Sequence, residues 1–159
     1  MLSWASIGDW LYQKRMIHSS PLLETLAYAE HVLCPNFVTV ADYVFLDCKN
    51  ENVYSYASCK ETDSQKIVTE ALENHVHLFD NVPKHMRKDV RKIAIAVAQN
   101  LFERLKYDFP DKHFVVLLEL KYKESIVVRF HQIRQNCALY IDPKEFPKEY
   151  ANGLFMMFI

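Results

Sequence analysis

Asp111, Glu119 and Lys121 are the residue types that could hold a divalent metal and position an attacking water. Their spacing opposes that use. On one extended segment Asp111 and Glu119 would lie roughly 26 Å apart at about 3.3 Å per residue, too far to share an ion. Asp47, on a different expected strand, could stand in for Asp111, so Asp47, Glu119 and Lys121 form the site of an alternative reading, a small metal-dependent nuclease or other hydrolase. The simpler reading places Glu119 and Lys121 at the exposed end of a strand before a turn. His75 and His77, with Cys48 and Cys59, have the donor types of a Cys2His2 zinc site. Neither pair has the separation that lets one turn present both ligands, so His75 reads as a hydrogen-bonded, partly buried histidine. No metal and no cofactor are expected. Gly8 and Gly153 are the chain's two glycines, which excludes glycine-rich phosphate loops.

Lys84, Arg87, Lys88, Arg91 and Lys92 crowd the start of an expected helix without interleaved aromatics. A solvated basic face is the preferred reading, with phosphate or an acidic protein as the functional alternative. A second polar group lies between Ser125 and Asp142. Arg129 and His131 are two apart on an expected strand and share a face. With Arg134, Tyr140 and Asp142 they make a candidate partner-binding patch, rich in the types enriched at protein interfaces.

Two resemblances attach to these residues. Pro110-Asp111 followed by Glu119-Leu120-Lys121 looks like the PD…(D/E)xK signature of restriction-endonuclease-like nucleases, within residues 110–121 alone. The chain's size, its α+β order and the segment Val128–Arg134, VRFHQIR, resemble small immunity proteins of bacterial polymorphic toxin systems. That second resemblance implies a cytoplasmic, non-enzymatic inhibitor that binds and blocks a cognate toxin or enzyme. Arg129, His131, Arg134, Tyr140 and Asp142 would contact the protein partner.

The elements that must position these residues are read from apolar spacing. Met86, Val90, Ile93, Val97, Leu101 and Leu105 recur every three or four residues, which predicts a long amphipathic helix from Pro83 to Phe109, halted by Pro110. His113–Lys121 and Ser125–Ile133 alternate as two strands of a hairpin, the first apolar on both faces and therefore central in its sheet. Asn36–Val40 and Tyr43–Cys48 read as extended, with Val53–Cys59 as a return strand. Thr62-Asp63-Ser64-Gln65 is a capping box opening a helix with Val68, Ala71, Leu72 and Phe79 on one side. Ala138–Ile141 and Leu154–Ile159 read as further strands. Two helices are expected before Pro35, one carrying Trp4, Ile7 and Leu11, the other running from Ser20 to Leu33. The fold expected is α+β in a single domain over residues 1–159. An antiparallel sheet of about five or six strands would pack against the long helix and the shorter N-terminal helices.

Composition agrees with a globular chain and removes several classes of partner. Half of the 159 residues are hydrophobic and 25% charged. Lys+Arg 19 against Asp+Glu 20 gives no global attraction to nucleic acid or anionic lipid. No apolar run is long enough to span a bilayer, and Met1–Arg15 lacks the order of a signal peptide. Cys34, Cys48, Cys59 and Cys137 contain no CxxC pair and read as reduced thiols in a cytoplasmic protein. The apolar run Leu154–Ile159 is expected to pair inside the sheet or across a homodimer contact.

Overall fold

The computed structural model describes residues 34–47 and 51–159. The two N-terminal helices expected before Pro35, and Cys48, lie outside the described residues.

The fold is α+β and its sheets are antiparallel. Strands β1 (Phe37–Val40) and β2 (Tyr43–Leu46) form a hairpin. After a 3-10 helix at Glu51–Ser58 come α1 (Asp63–Glu73) and β3 (Val76–Asp80). A 3-10 turn at Lys84–Met86 leads into the long helix α2 (Arg87–Asp108). Then follow β4 (Phe114–Leu120), β5 (Ser125–Gln132), the short α3 (Pro147–Ala151) and β6 (Phe155–Phe158). The main sheet has the order β3-β5-β4-β6.

The predicted centre of the fold is observed. Helix α2 lays Val90, Ile93, Val97, Leu101 and Leu105 on β4 and β5, whose Phe114, Val116, Leu118, Leu120, Ile126, Val128 and Phe130 face it. Phe109 leaves helical geometry at φ −132°, ψ 67°, the consequence of Pro110 behind it. Its ring then meets Phe37 and Phe114, at 5.6 and 5.8 Å between centroids. These ring contacts, the first edge-on and the second tilted, tie the end of α2 to β1 and β4.

The expectation of one sheet of five or six strands needs correction. Six strands are described, but they divide into a two-stranded and a four-stranded sheet. The cause lies in helix α1. Its buried residues are Ile67, Glu70 and Ala71, with Asn74 just beyond its end, whereas Val68 and Leu72 are exposed. Glu70 accepts from Val44 N–H at 3.1 Å and Gln132 N–H at 2.8 Å. Asn74 accepts from Leu46 N–H at 2.8 Å and donates to the carbonyls of Val44 at 2.9 Å and Phe130 at 3.4 Å. Side chains one helical turn apart therefore occupy the backbone groups with which β2 and β5 would otherwise pair. The outer edge of β5 is shared, with β3 opposite Ser125–Val128 and α1 side chains at Phe130 and Gln132.

Three local expectations also change. Val53–Cys59 is not a return strand, because Glu51–Ser58 winds as a 3-10 helix and lays Val53 and Tyr56 against Tyr43 and Phe45. Ala138–Ile141 forms no strand. Phe79 lies not on α1 but on β3, since the capping box at Thr62 and Gln65 opens a helix that ends at Glu73.

The β1–β2 turn offers a simple test of backbone strain. Ala41 sits at φ 51°, a left-handed conformation that costs a non-glycine residue about 1–2 kcal/mol. Ala41→Gly should raise stability by about 0.5–1 kcal/mol in urea titration, the part of that cost exceeding glycine's larger unfolded-state entropy. A loss of stability would show that the turn is not strained.

Candidate functional site

The face of the main sheet away from α2 carries the polar groups. Alternation along β4 puts Val115, Leu117 and Glu119 there, and alternation along β5 puts Val127, Arg129 and His131 there. Register sets Glu119 opposite Val127 and Leu117 opposite Arg129, so Glu119 and Arg129 meet on the diagonal. Their Oε1 and Nη2 atoms are 2.6 Å apart, and both side chains are largely buried. Lys121 Nζ stands 3.7 Å from the other Glu119 oxygen. Arg129 also donates to the Ala71 carbonyl at 3.3 Å and lies under the Tyr140 ring, 5.2 Å from its centroid.

This pair forms part of the lining of an open cleft of about 320 Å³. Leu72 and His75 border it from the end of α1, and His77 from β3. Lys121, Glu124 and Ser125 come from the β4–β5 turn region, and Tyr140 from the loop beyond β5. His75, His77, Lys121 and Glu124 are exposed. The rings of His75 and His77 meet edge-on at 5.6 Å, and His77 Nδ1 is 3.3 Å from Asp80 Oδ1. Both signs of charge thus occur around the cleft, and its deepest charges are already paired.

The five residues expected to form one partner patch take different places. Arg129 and Tyr140 line the cleft. His131 is 2% exposed and Arg134 is 9% exposed, so neither presents an open surface. Arg134 reaches Asp42 Oδ2 at 2.8 Å and Glu70 Oε1 at 3.2 Å, fastening the β1–β2 turn to α1. Asp42 also meets Lys66 at 3.2 Å and Lys112 at 3.7 Å. Asp142 accepts from Lys144 N–H at 2.8 Å, within its own turn.

His131 tethers the loop that carries Tyr140. Its Nδ1 lies 2.8 Å from the Gln132 carbonyl, and its Nε2 lies 3.3 Å from the Tyr140 backbone N–H. A carbonyl accepts and an amide donates, so the pair selects the neutral ring with the proton on Nδ1. Burial lowers its pKa, and the Arg134 charge adds to the lowering. The folded value therefore sits below the ordinary 6.5. The stability that His131 contributes is complete above that pH and is lost as pH falls through the folded value. Denaturant titrations across mild acid should show this loss, and His131→Gln should flatten the slope. An unchanged slope in the variant would remove His131 as its source.

Glu119 and Lys121 line the cleft, while Asp47 and Asp111 are not among its lining residues. Glu119 is buried rather than exposed at a strand end. His75 is exposed, contrary to a partly buried reading, and its Nδ1 approaches the Leu72 carbonyl. No group of three or more potential metal ligands occurs among the described residues. The basic run at the start of α2 is divided. Arg87 turns to the Val82 carbonyl at 3.4 Å and the Tyr122 ring at 5.4 Å. Arg91 turns to the Gly153 carbonyl at 3.3 Å. Lys84, Lys88 and Lys92 remain exposed.

Glu124 and Ser125 carry no site signal of their own in the sequence, and His77 enters it only as a zinc donor type beside His75. Val76–Asp80 follows a helix after two residues and is short. Its one usable signal is His77 alternating with Leu78 and flanked by Val76 and Phe79.

An antiparallel α+β protein with an ion-paired surface cleft is the class defined by this geometry. No helix among the described residues is long and apolar enough to cross a membrane. The chain belongs to the Uncharacterized protein PM0498 family, whose match covers residues 10–157. Comparison with curated proteins finds no match. Comparison with solved structures finds none either.

Proposed function

We propose that this protein is a non-enzymatic binding module that holds and blocks a protein partner, in the manner of a bacterial immunity protein acting on a cognate toxin. The observation that carries the reading is the Glu119–Arg129 pair in the lining of the cleft, with exposed Lys121, Glu124, His75 and His77 around it. A reaction using Glu119 would have to break a buried ion pair, which is costly. A partner need only set complementary charges against the rim, where they favour encounter and orientation. Arg129, paired with Glu119, and Tyr140, whose ring covers Arg129, form the centre of such a contact, and these are types that dominate binding energy at interfaces.

The test is co-expression with the product of the neighbouring reading frame in a host that this product poisons. Growth should be rescued and a complex of the two chains should be isolated. Lys121→Glu combined with Glu124→Lys should weaken both by tenfold or more while the melting temperature is kept. Failure of rescue and of complex formation would end the immunity reading. A melting temperature raised by Mg²⁺ or Mn²⁺, with hydrolysis of nucleic acid abolished in Glu119→Ala, would favour the hydrolase instead.

A further inference from the structure

Among the described residues the main sheet ends on β3 at one side and β6 at the other, and the two edges are built differently. Strand β3 exposes His77 and Asp80, and its register with β5 shifts between His77 and Phe79. Charge and irregularity of this kind discourage the addition of another strand. Strand β6 has neither. Phe155-Met156-Met157-Phe158 is uncharged and pairs with β4 without a register shift. It continues into Ile159, which is 70% exposed.

The direction of the free backbone groups follows from the pairing. Leu120 N–H donates to the Leu154 carbonyl at 2.6 Å. Facing residues in an antiparallel pair alternate between exchanging hydrogen bonds and not exchanging them. Met156 and Phe158 therefore bond to β4, opposite Leu118 and Val116. Phe155, Met157 and Ile159 turn their backbone groups outward. Among the described residues, no strand pairs with that outer edge.

We infer that β6 pairs with β6 of a second copy of this chain, antiparallel about a two-fold axis at Met157. Met157 then faces Met157 of the second copy, Phe155 faces Ile159, and Met156 faces Phe158. This register uses every outward backbone group and joins the four-stranded sheets of the two copies into one. A two-fold axis would set like charges near one another on a charged strand, at a cost. An uncharged strand is self-complementary. The side chains agree with the backbone, because Met156 and Phe158 already pack beside the α2 core. Across the axis they would extend that layer. The edge is also held in advance. Arg91 bonds the carbonyl of Gly153, whose φ of 65° turns the chain into β6. Little ordering is left to oppose association.

Sedimentation across a concentration series tests the inference with Met157→Pro, which deletes an outward N–H and leaves the β4–β6 bonds in place. The wild type should move from 18.8 kDa to twice that mass. Met157→Pro should stay at the single-chain mass with its melting temperature at low concentration unchanged. Should that variant fail to fold, Met157→Cys, with the four native cysteines changed to serine, decides the matter. Facing α-carbons about 5.5 Å apart suit a disulfide, so mild oxidation should join two copies at position 157. A wild type monomeric throughout would overturn the inference, as would a dimer that persists in Met157→Pro or the absence of that cross-link. A monomeric wild type whose melting temperature falls in Met157→Pro would assign the edge to other residues of this chain, and also overturns it.

Discussion

Glu70→Ala is expected to lower stability by about 3–5 kcal/mol, the range for breaking a buried ion pair by removing one partner. Glu70 is 0% exposed and meets donors from three places: Val44 N–H, Gln132 through backbone and side chain, and Arg134. Burial pushes its carboxyl above the usual range, against the pull of the Gln132 bonds and Arg134. Alanine would strand the largely buried Arg134 guanidinium, partly relieved by its contact with Asp42. It would also leave two backbone N–H groups without acceptors. Glu70→Gln keeps an acceptor oxygen and should cost less. Chemical denaturation of both variants measures the difference. If Glu70→Ala loses less than about 1 kcal/mol, the bridge between β2 and β5 is not a significant source of stability.

The second large effect is in the apolar layer. Leu101 on α2 and Leu118 on β4 are both fully buried in the same cluster. Truncation to alanine should cost about 2–5 kcal/mol at either site, the transfer of lost methyl groups plus the cavity left behind. Because both belong to one packed cluster, the double variant should depart from additivity. Losses below about 1 kcal/mol at both would show that α2 does not seal against β4.

These two sites differ in how far they can be read from the sequence. The packing of α2 on β4 is legible because α2 repeats its apolar residues at helical spacing and β4 has apolar residues on both faces. The same holds for β5 and β6, whose apolar content leaves few other arrangements. Helix α1 is not legible in this way. Its exposed Val68 and Leu72 outweigh Ala71 in any apolar pattern, and its buried Glu70 and Asn74 look like solvent residues. Only their partners on distant strands make them interior. The division into two sheets follows from those side chains and so shared their invisibility.

The candidate cleft was legible in halves. Alternation places Glu119 with Lys121, and Arg129 with His131, each pair on one face. Strand register then brings Glu119 to Arg129, and register depends on the β4–β5 turn, which lacks a strong turn signature. His131 and Arg134 were read as surface because their types usually are. Here one is enclosed by the loop it tethers, and the other is consumed by Asp42 and Glu70.

The bridge made by Glu70 and Asn74 has a consequence for how the molecule opens. A backbone ladder cannot be removed by changing side chains, but this joint can, since the amides of Val44 and Leu46 rest on two side chains. The β1–β2 hairpin is thus attached along a line that can part while the four-stranded sheet stays closed. Val44 and Glu70 are 26 positions apart and Asp42 and Arg134 are 92 apart, so these contacts close late, after the local hairpins. Hydrogen exchange at Val44 and Leu46 should therefore report a lower opening energy than at Leu118 or Val128. Asn74→Ala should release the Leu46 amide without exposing those of Leu118 or Val128.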